Sequence, residues 1–428
     1  MQANKKNNYK LFLIIISICF YIFGFYNKNL SISGSQADFY GFVFKNIQLF
    51  DENIIYAIKN YGLLRDANYP LFYIFHAYLN PFSNEIESYL ISTFVIGFIT
   101  YLFFSLCLRN LGLRITDSLL LSSIILYLPF FTGRAYWGTS ANLGWFFLII
   151  SFYFFLRVKK KLQLNYTKDN LIDIFFLCFF SAAALYTRAL FIFFPIYIVL
   201  YFLLYDKFFQ RKIFLILFYF ILSIPGLYLM SIWNGIYDHS NSDVVKEFHT
   251  YHNIAKNFPI LLNFFFFYLW PIFILEIKDI GIINFFNKIY KSFIFIFLFF
   301  LILNITGYLS YLSEYDYGGG AVLKFGYLIK DTNNFLFLFT SSIGFSMIYT
   351  LIRDEYKRNL ILFLPIFIIY GFPRFIFQDY FEPLIIFLFF LGLIKTSLTF
   401  KLKDNVILIS TLYIVYFFLV NIIVTYNF

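Results

Sequence analysis

The sequence predicts an all-α polytopic integral membrane protein, and three observations predict it. Of 428 residues, 61% are hydrophobic and 13% charged, against about half and a quarter in a soluble domain. Apolar runs approaching the roughly 20 residues that a helix needs to cross a bilayer recur from end to end. Lysine and arginine gather in alternate connections between those runs, as they do in cytoplasmic loops.

The runs give about 13 transmembrane helices, near 11–26, 86–107, 116–131, 142–157, 171–187, 189–205, 213–233, 259–277, 292–312, 335–352, 359–373, 381–395 and 405–425. Place the N-terminus, with Lys5, Lys6 and Lys10, in the cytoplasm. Then 22 of the 33 basic residues fall on the inner side, every long connection falls outside, and so does the C-terminus. Acids lean the other way, with 14 of 23 outside. The net charge of +10 is therefore topological, and no nucleic-acid partner is implied. The first run reads as a span, although Lys5, Lys6 and Gly34–Ala37 are loosely compatible with a cleaved leader. The fifth and sixth are separated by little more than Thr187–Arg188, as in a tight helical hairpin. The chain reads as one transmembrane domain over 1–428, without a soluble C-terminal domain. Cys19, Cys107 and Cys178 all lie in apolar runs and read as small buried hydrophobes. An AT-rich genome would account for the 67 Phe and 37 Tyr, so these counts carry little functional weight.

The first outer loop, 27–85, is the longest. Phe39, Phe42, Val43, Ile47 and Phe50 recur at helical spacing, with Lys45, Asn46 and Gln48 between them. Ile54, Ile55, Ile58 and Tyr61 do the same, and Pro70 begins a further apolar run. These segments read as helices lying in the membrane interface. Asp38 opens the first of them. It is either an N-cap or an anionic group poised near the outer surface.

Three outer cations lie deep. Arg134 begins the outer edge of the fourth span, Arg188 sits in the fifth–sixth turn, and Arg374 ends the eleventh. Each either marks function or snorkels to the headgroups. In "PRFIFQDYFEP" (373–383), Arg374, Gln378 and Glu382 follow at helical spacing with Asp379 beside them. That cluster is either a structural ion pair or a lipid-phosphate and sugar site. His249-x-x-His252 makes a divalent metal possible, but nothing supplies a third ligand at fixed spacing, so no metal site is assigned. "YGGGAV" (317–322) reads as a mobile loop or a connector.

Over roughly the first 200 residues, three segments carry a resemblance: "ADFY" at Asp38, "NYPLFYIF" (68–75) and "GRAYWGTSANLGWFFLIISFYFFLR" (133–157). Together they resemble the membrane glycosyltransferases of the C superfamily (GT-C type), above all the bacterial relatives of protein O-mannosyltransferases and of lipid A aminoarabinose transferase. The family often writes Asp-Glu and then Tyr, so the second acid is missing here, as is one proline of its "YPPLYY"-type segment. The resemblance implies transfer of a hexose or pentose from a polyprenyl-phosphate-linked donor to a lipid-linked glycan or protein, at the outer face of a bacterial inner membrane. It implies Asp38 as the catalytic acidic residue. A proton acceptor for the attacking hydroxyl and arginines for the departing phosphate fit that chemistry. Arg134, Arg188 and Arg374 are then the candidate phosphate ligands, and Asp66, Tyr69, Gln378, Asp379 and Glu382 the candidate substrate contacts. Two other classes stay open. An O-antigen-type polysaccharide polymerase calls for arginines in two large outer loops, and 234–258 has none. A lipid-linked-sugar flippase calls for internal repeats and broken midplane helices.

Overall fold

The computed structural model describes residues 2–27, 34–64, 68–163, 170–233, 235, 252–309, 321–328, 334–354, 356–373, 376–394 and 402–427. Among these residues the chain is helical, with no β-strand. Seven helices are long and apolar enough to cross a membrane, or eight if one bent pair counts as a single span. By length and composition this is a multi-pass membrane protein. The chain divides into two compact units, Met1–Lys246 with Tyr413–Phe428, and Glu247–Leu412.

The first unit begins with α1 (Gln2–Asn27). Then comes an almost continuous helix made of α2 (Ser35–Asp38), a π-helical turn Phe39–Val43, and α3 (Phe44–Glu52). Its buried side carries Phe39, Val43, Ile47 and Phe50, as the spacing predicts. Asn46, expected on the polar side, is buried instead, and its Nδ2 donates to the Leu64 carbonyl and the Tyr73 hydroxyl. Asn53 caps α4 (Ile54–Lys59) by accepting from the Tyr56 N–H at 3.0 Å. After Pro70, α5 (Leu71–Ile74) runs into a second π-helical turn, Phe75–Leu79.

The helix α6 (Ile86–Asn110) packs closely on its neighbours. A side chain at Gly97 would collide with the Tyr21 hydroxyl on α1 and with Ala135. Small residues allow this approach between membrane helices. The third predicted span is not a rod. It is α7 (Ile115–Ser122), a 3₁₀ turn Ser123–Tyr127, and α8 (Pro129–Tyr136), bent by 77° at Leu128. Pro129 cannot donate to the helix ladder and pushes the residue before it out of the helical region; Leu128 has ψ 117°. Asn421 closes the break by donating to the Tyr127 carbonyl at 2.7 Å. The unit continues with α9 (Ser140–Gln163), α10 (Asn170–Thr187), a 3₁₀ turn Ala189–Ile192, α11 (Phe193–Tyr205) and α12 (Phe209–Trp233).

In the second unit, α13 (His252–Ile280) and α14 (Ile282–Ile305) are followed by α15 (Ala321–Leu328), α16 (Phe335–Asp354) and α17 (Tyr356–Gly371). Gly344 of α16 leaves room for the Leu262 carbonyl of α13, which any side chain there would overlap. Asn263 of α13 donates to the Thr340 hydroxyl at 2.7 Å nearby. The twelfth predicted span contains only a seven-residue helix, α18 (Leu384–Phe390), about 10 Å long. Gly392, at φ +63°, follows it. The last helix, α19 (Val406–Asn427), begins in the second unit and ends in the first.

Candidate functional site

Asp38 does not cap its helix. Gly34, at φ +68°, stands at the N-cap, and Asp38 lies within the helix at φ −60°, ψ −45°, without a side-chain cap bond. Its carboxylate instead meets Arg134, 96 residues further along, with Nη1 to Oδ2 at 2.6 Å. This is a short, charge-assisted contact. The Arg134 side chain is 13% exposed and that of Asp38 38%, so the arginine is the embedded partner and the carboxylate the accessible one.

Arg134 is aimed by α8, which is fixed on several sides. Pro129 starts the helix, where its missing N–H costs nothing. Phe131 packs on Trp145 at 5.6 Å, and the Tyr136 hydroxyl donates to the Tyr21 carbonyl at 2.8 Å. The turn out of α8 requires Gly138, at φ +57°, where an added Cβ would also strike Tyr89 and Thr93. On the Asp38 side, the π-helical turn brings Phe39 against Tyr89 at 5.7 Å and Trp137 at 5.8 Å. Such turns re-aim side chains and recur at functional sites.

His76 braces the same layer. It is buried, its ring lies 5.0 Å from Tyr89, and its Nδ1 accepts from Asn80, which also donates to Ser92 on α6. Burial pushes its pKa down to about 3, so the ring is neutral.

Arg188 sits in extended backbone between α10 and the 3₁₀ turn. It is buried rather than snorkelling, with its guanidinium 6.0 Å from the Trp145 ring on α9. Tyr69 is also buried, edge-on to Tyr186 at 5.8 Å and stacked on Trp233 at 6.1 Å. Asn68 beside it donates to Ser140, the first residue of α9, at 3.4 Å. The start of α9 and the turn before it are thus common ground for Arg134, Arg188 and the Asn68–Tyr69 segment. Asp66 and Arg374 lie outside the described residues.

Gln378, Asp379 and Glu382 belong to the second unit, and all three are buried. Gln378 and Glu382 do not share a helix face as the spacing implied: Phe377 is extended, Gln378–Tyr380 is a 3₁₀ turn, and helix resumes only at α18. Gln378 and Glu382 still converge, through Tyr268 of α13. Its hydroxyl donates to Glu382 Oε2 at 2.5 Å and accepts from Gln378 Nε2 at 2.9 Å. Nothing in "FFFFYLW" singled out Tyr268, whereas Trp137 and Tyr40 stood within the quoted segments.

Among the described residues, no group of three or more His, Cys, Asp or Glu could hold a metal ion. His249 of the suggested His pair lies outside them, as do residues 317–320 of the "YGGGAV" segment. Among the described residues, other ion pairs join Lys10 and Arg114 with Asp117, Arg157 and Lys161 with Asp173, Arg211 with Asp206, and Lys288 with Glu276. All of these fall in segments that the charge pattern assigns to one side, and Asp38–Arg134 falls in segments assigned to the other. No family model matches the chain, and neither does any curated protein or solved structure.

Proposed function

We propose that this protein is a GT-C-type glycosyltransferase, moving a sugar from a polyprenyl-phosphate-linked donor to a lipid-linked glycan or protein at the outer face of a bacterial inner membrane. The observation that carries the reading is the contact between Asp38 and Arg134. A proton acceptor and a phosphate-binding cation, singled out on separate grounds, stand side by side.

In this reading the acceptor hydroxyl gives its proton to Asp38 as its oxygen attacks the anomeric carbon. The bond from that carbon to the phosphate oxygen breaks, and the electron pair leaves with the polyprenyl phosphate. Arg134 offsets the phosphate charge, aided by Arg188, and Tyr69 with the Asp66 segment serves substrate binding. In this reading the N-terminus is cytoplasmic, the C-terminus lies outside, and the helices between the first two spans lie in the outer interface. One observation favours the flippase alternative: the break at Leu128, since broken spans line transport sites.

The test is transfer by the full chain in proteoliposomes, supplied with undecaprenyl phosphate bearing different sugars. Asp38→Asn keeps size and charge-free hydrogen bonding but removes the proton acceptor, which typically costs about 10²–10⁴-fold in rate. Transfer at the wild-type rate by this variant would remove Asp38 from the chemistry.

A further inference from the structure

Tyr40 is a large ring next to Asp38 that is not packed away. It is 51% exposed, while Phe39 and Trp137 beside it are buried. Its ring is nonetheless held from two directions. Phe39 stands edge-on to it at 5.0 Å and Trp137 edge-on at 5.6 Å. An unbraced surface tyrosine would sample several rotamers; two neighbouring rings restrain this one while half of it stays exposed. The polar contact lies alongside: Asp38 pairs with Arg134, and two residues on Tyr40 meets Trp137, three residues beyond Arg134. Asp38 and Tyr40, two residues apart, thus both contact the end of α8, at Arg134 and at Trp137.

We propose that the Tyr40 ring is the platform for the sugar of the lipid-linked donor, an inference that rests on the glycosyltransferase reading above. The chemistry matches a pyranose. A sugar ring presents C–H groups on one face and hydroxyls around its rim. The first suits an aromatic face, and the second suits a carboxylate and a guanidinium next to it. With the ring stacked on Tyr40, the phosphate at the anomeric carbon lies toward Arg134. A membrane anchor is the competing role for an exposed tyrosine at an interface, and it carries no preference between lipids that share a tail and a phosphate.

That difference defines the experiment. The full-length protein in nanodiscs is titrated with bare undecaprenyl phosphate and with undecaprenyl phosphate bearing glucose, galactose, N-acetylglucosamine or aminoarabinose, with binding read by native mass spectrometry. The expected result is that at least one glycosylated lipid binds the wild type more tightly than the bare lipid. Tyr40→Ala should lose that increment, about three- to tenfold for one stacked ring, and still bind the bare lipid like the wild type. Tyr40→Phe and Tyr40→Trp should keep the increment. If the bare lipid binds but Tyr40→Ala retains the sugar increment, or if no lipid shows one, the platform is excluded and the glycosyltransferase reading is left standing. Equal weakening toward bare and glycosylated lipids identifies Tyr40 as an anchor and likewise excludes the platform. If no polyprenyl phosphate binds at all, the reading beneath it falls, and the platform falls with it.

Discussion

A carboxylate and a guanidinium 2.6 Å apart restrain each other, and Arg134 cannot serve a phosphate fully while Asp38 occupies it. The proposed donor must therefore displace that contact, and the exposure of Asp38 makes it the group that moves. The layer behind it is held by neutral His76, which has a prediction of its own. Its pKa is about 3 in the folded protein and near 6.5 when unfolded. Between those values the unfolded chain binds the extra proton. The stabilising contribution is therefore complete above about pH 6.5 and shrinks as pH falls toward 3. His76→Gln cannot take up that proton, so its melting temperature should fall less than the wild type's between pH 7.5 and pH 5. Parallel falls in the two proteins would show that His76 does not titrate as its burial demands. Asp38, Arg134, Arg188 and Tyr69 were all legible in the sequence as candidates. The Asp38–Arg134 pair and the contacts of Arg188 and Asn68 with α9 were not, because they join positions far apart in the chain.

At the scale of elements, every predicted apolar run contains helix, and periodicity placed the helix of 35–52 well. What hydropathy could not display is where a run breaks. The third run bends because Pro129 stops the ladder, and the twelfth shrinks to seven residues before Gly392. A window average passes over both. Asn421 compensates the first break, since its side chain reaches both Tyr127 and its own helix at Phe417. Asn421→Leu leaves the buried Tyr127 carbonyl without that donor, at a cost of about 1–3 kcal/mol. The detergent-solubilised variant should melt measurably lower. An unchanged melting temperature would mean that the break is satisfied by some other group. The Gln378–Tyr268–Glu382 chain escaped prediction for a related reason: its central hydroxyl is one tyrosine inside an aromatic run.

For the whole molecule, orientation decides whether the chemistry faces polyprenyl-linked sugars or the cytoplasm. Lys160 and Asp51 are both exposed. In a background with the three native cysteines replaced by serine, a cysteine at Asp51 should react with an impermeant thiol reagent added to intact cells, and one at Lys160 should not. Labelling at Lys160 would invert the topology and move Asp38 to the wrong side. The central claim, that Asp38 and Arg134 form the reacting centre for a lipid-linked sugar phosphate, is met most directly by an electron cryomicroscopy structure of the chain in nanodiscs with undecaprenyl-phosphate sugar bound. The account predicts the lipid phosphate on Arg134, the Asp38–Arg134 contact opened, and Asp38 facing the anomeric carbon. A phosphate bound elsewhere, with that contact still closed, would contradict it.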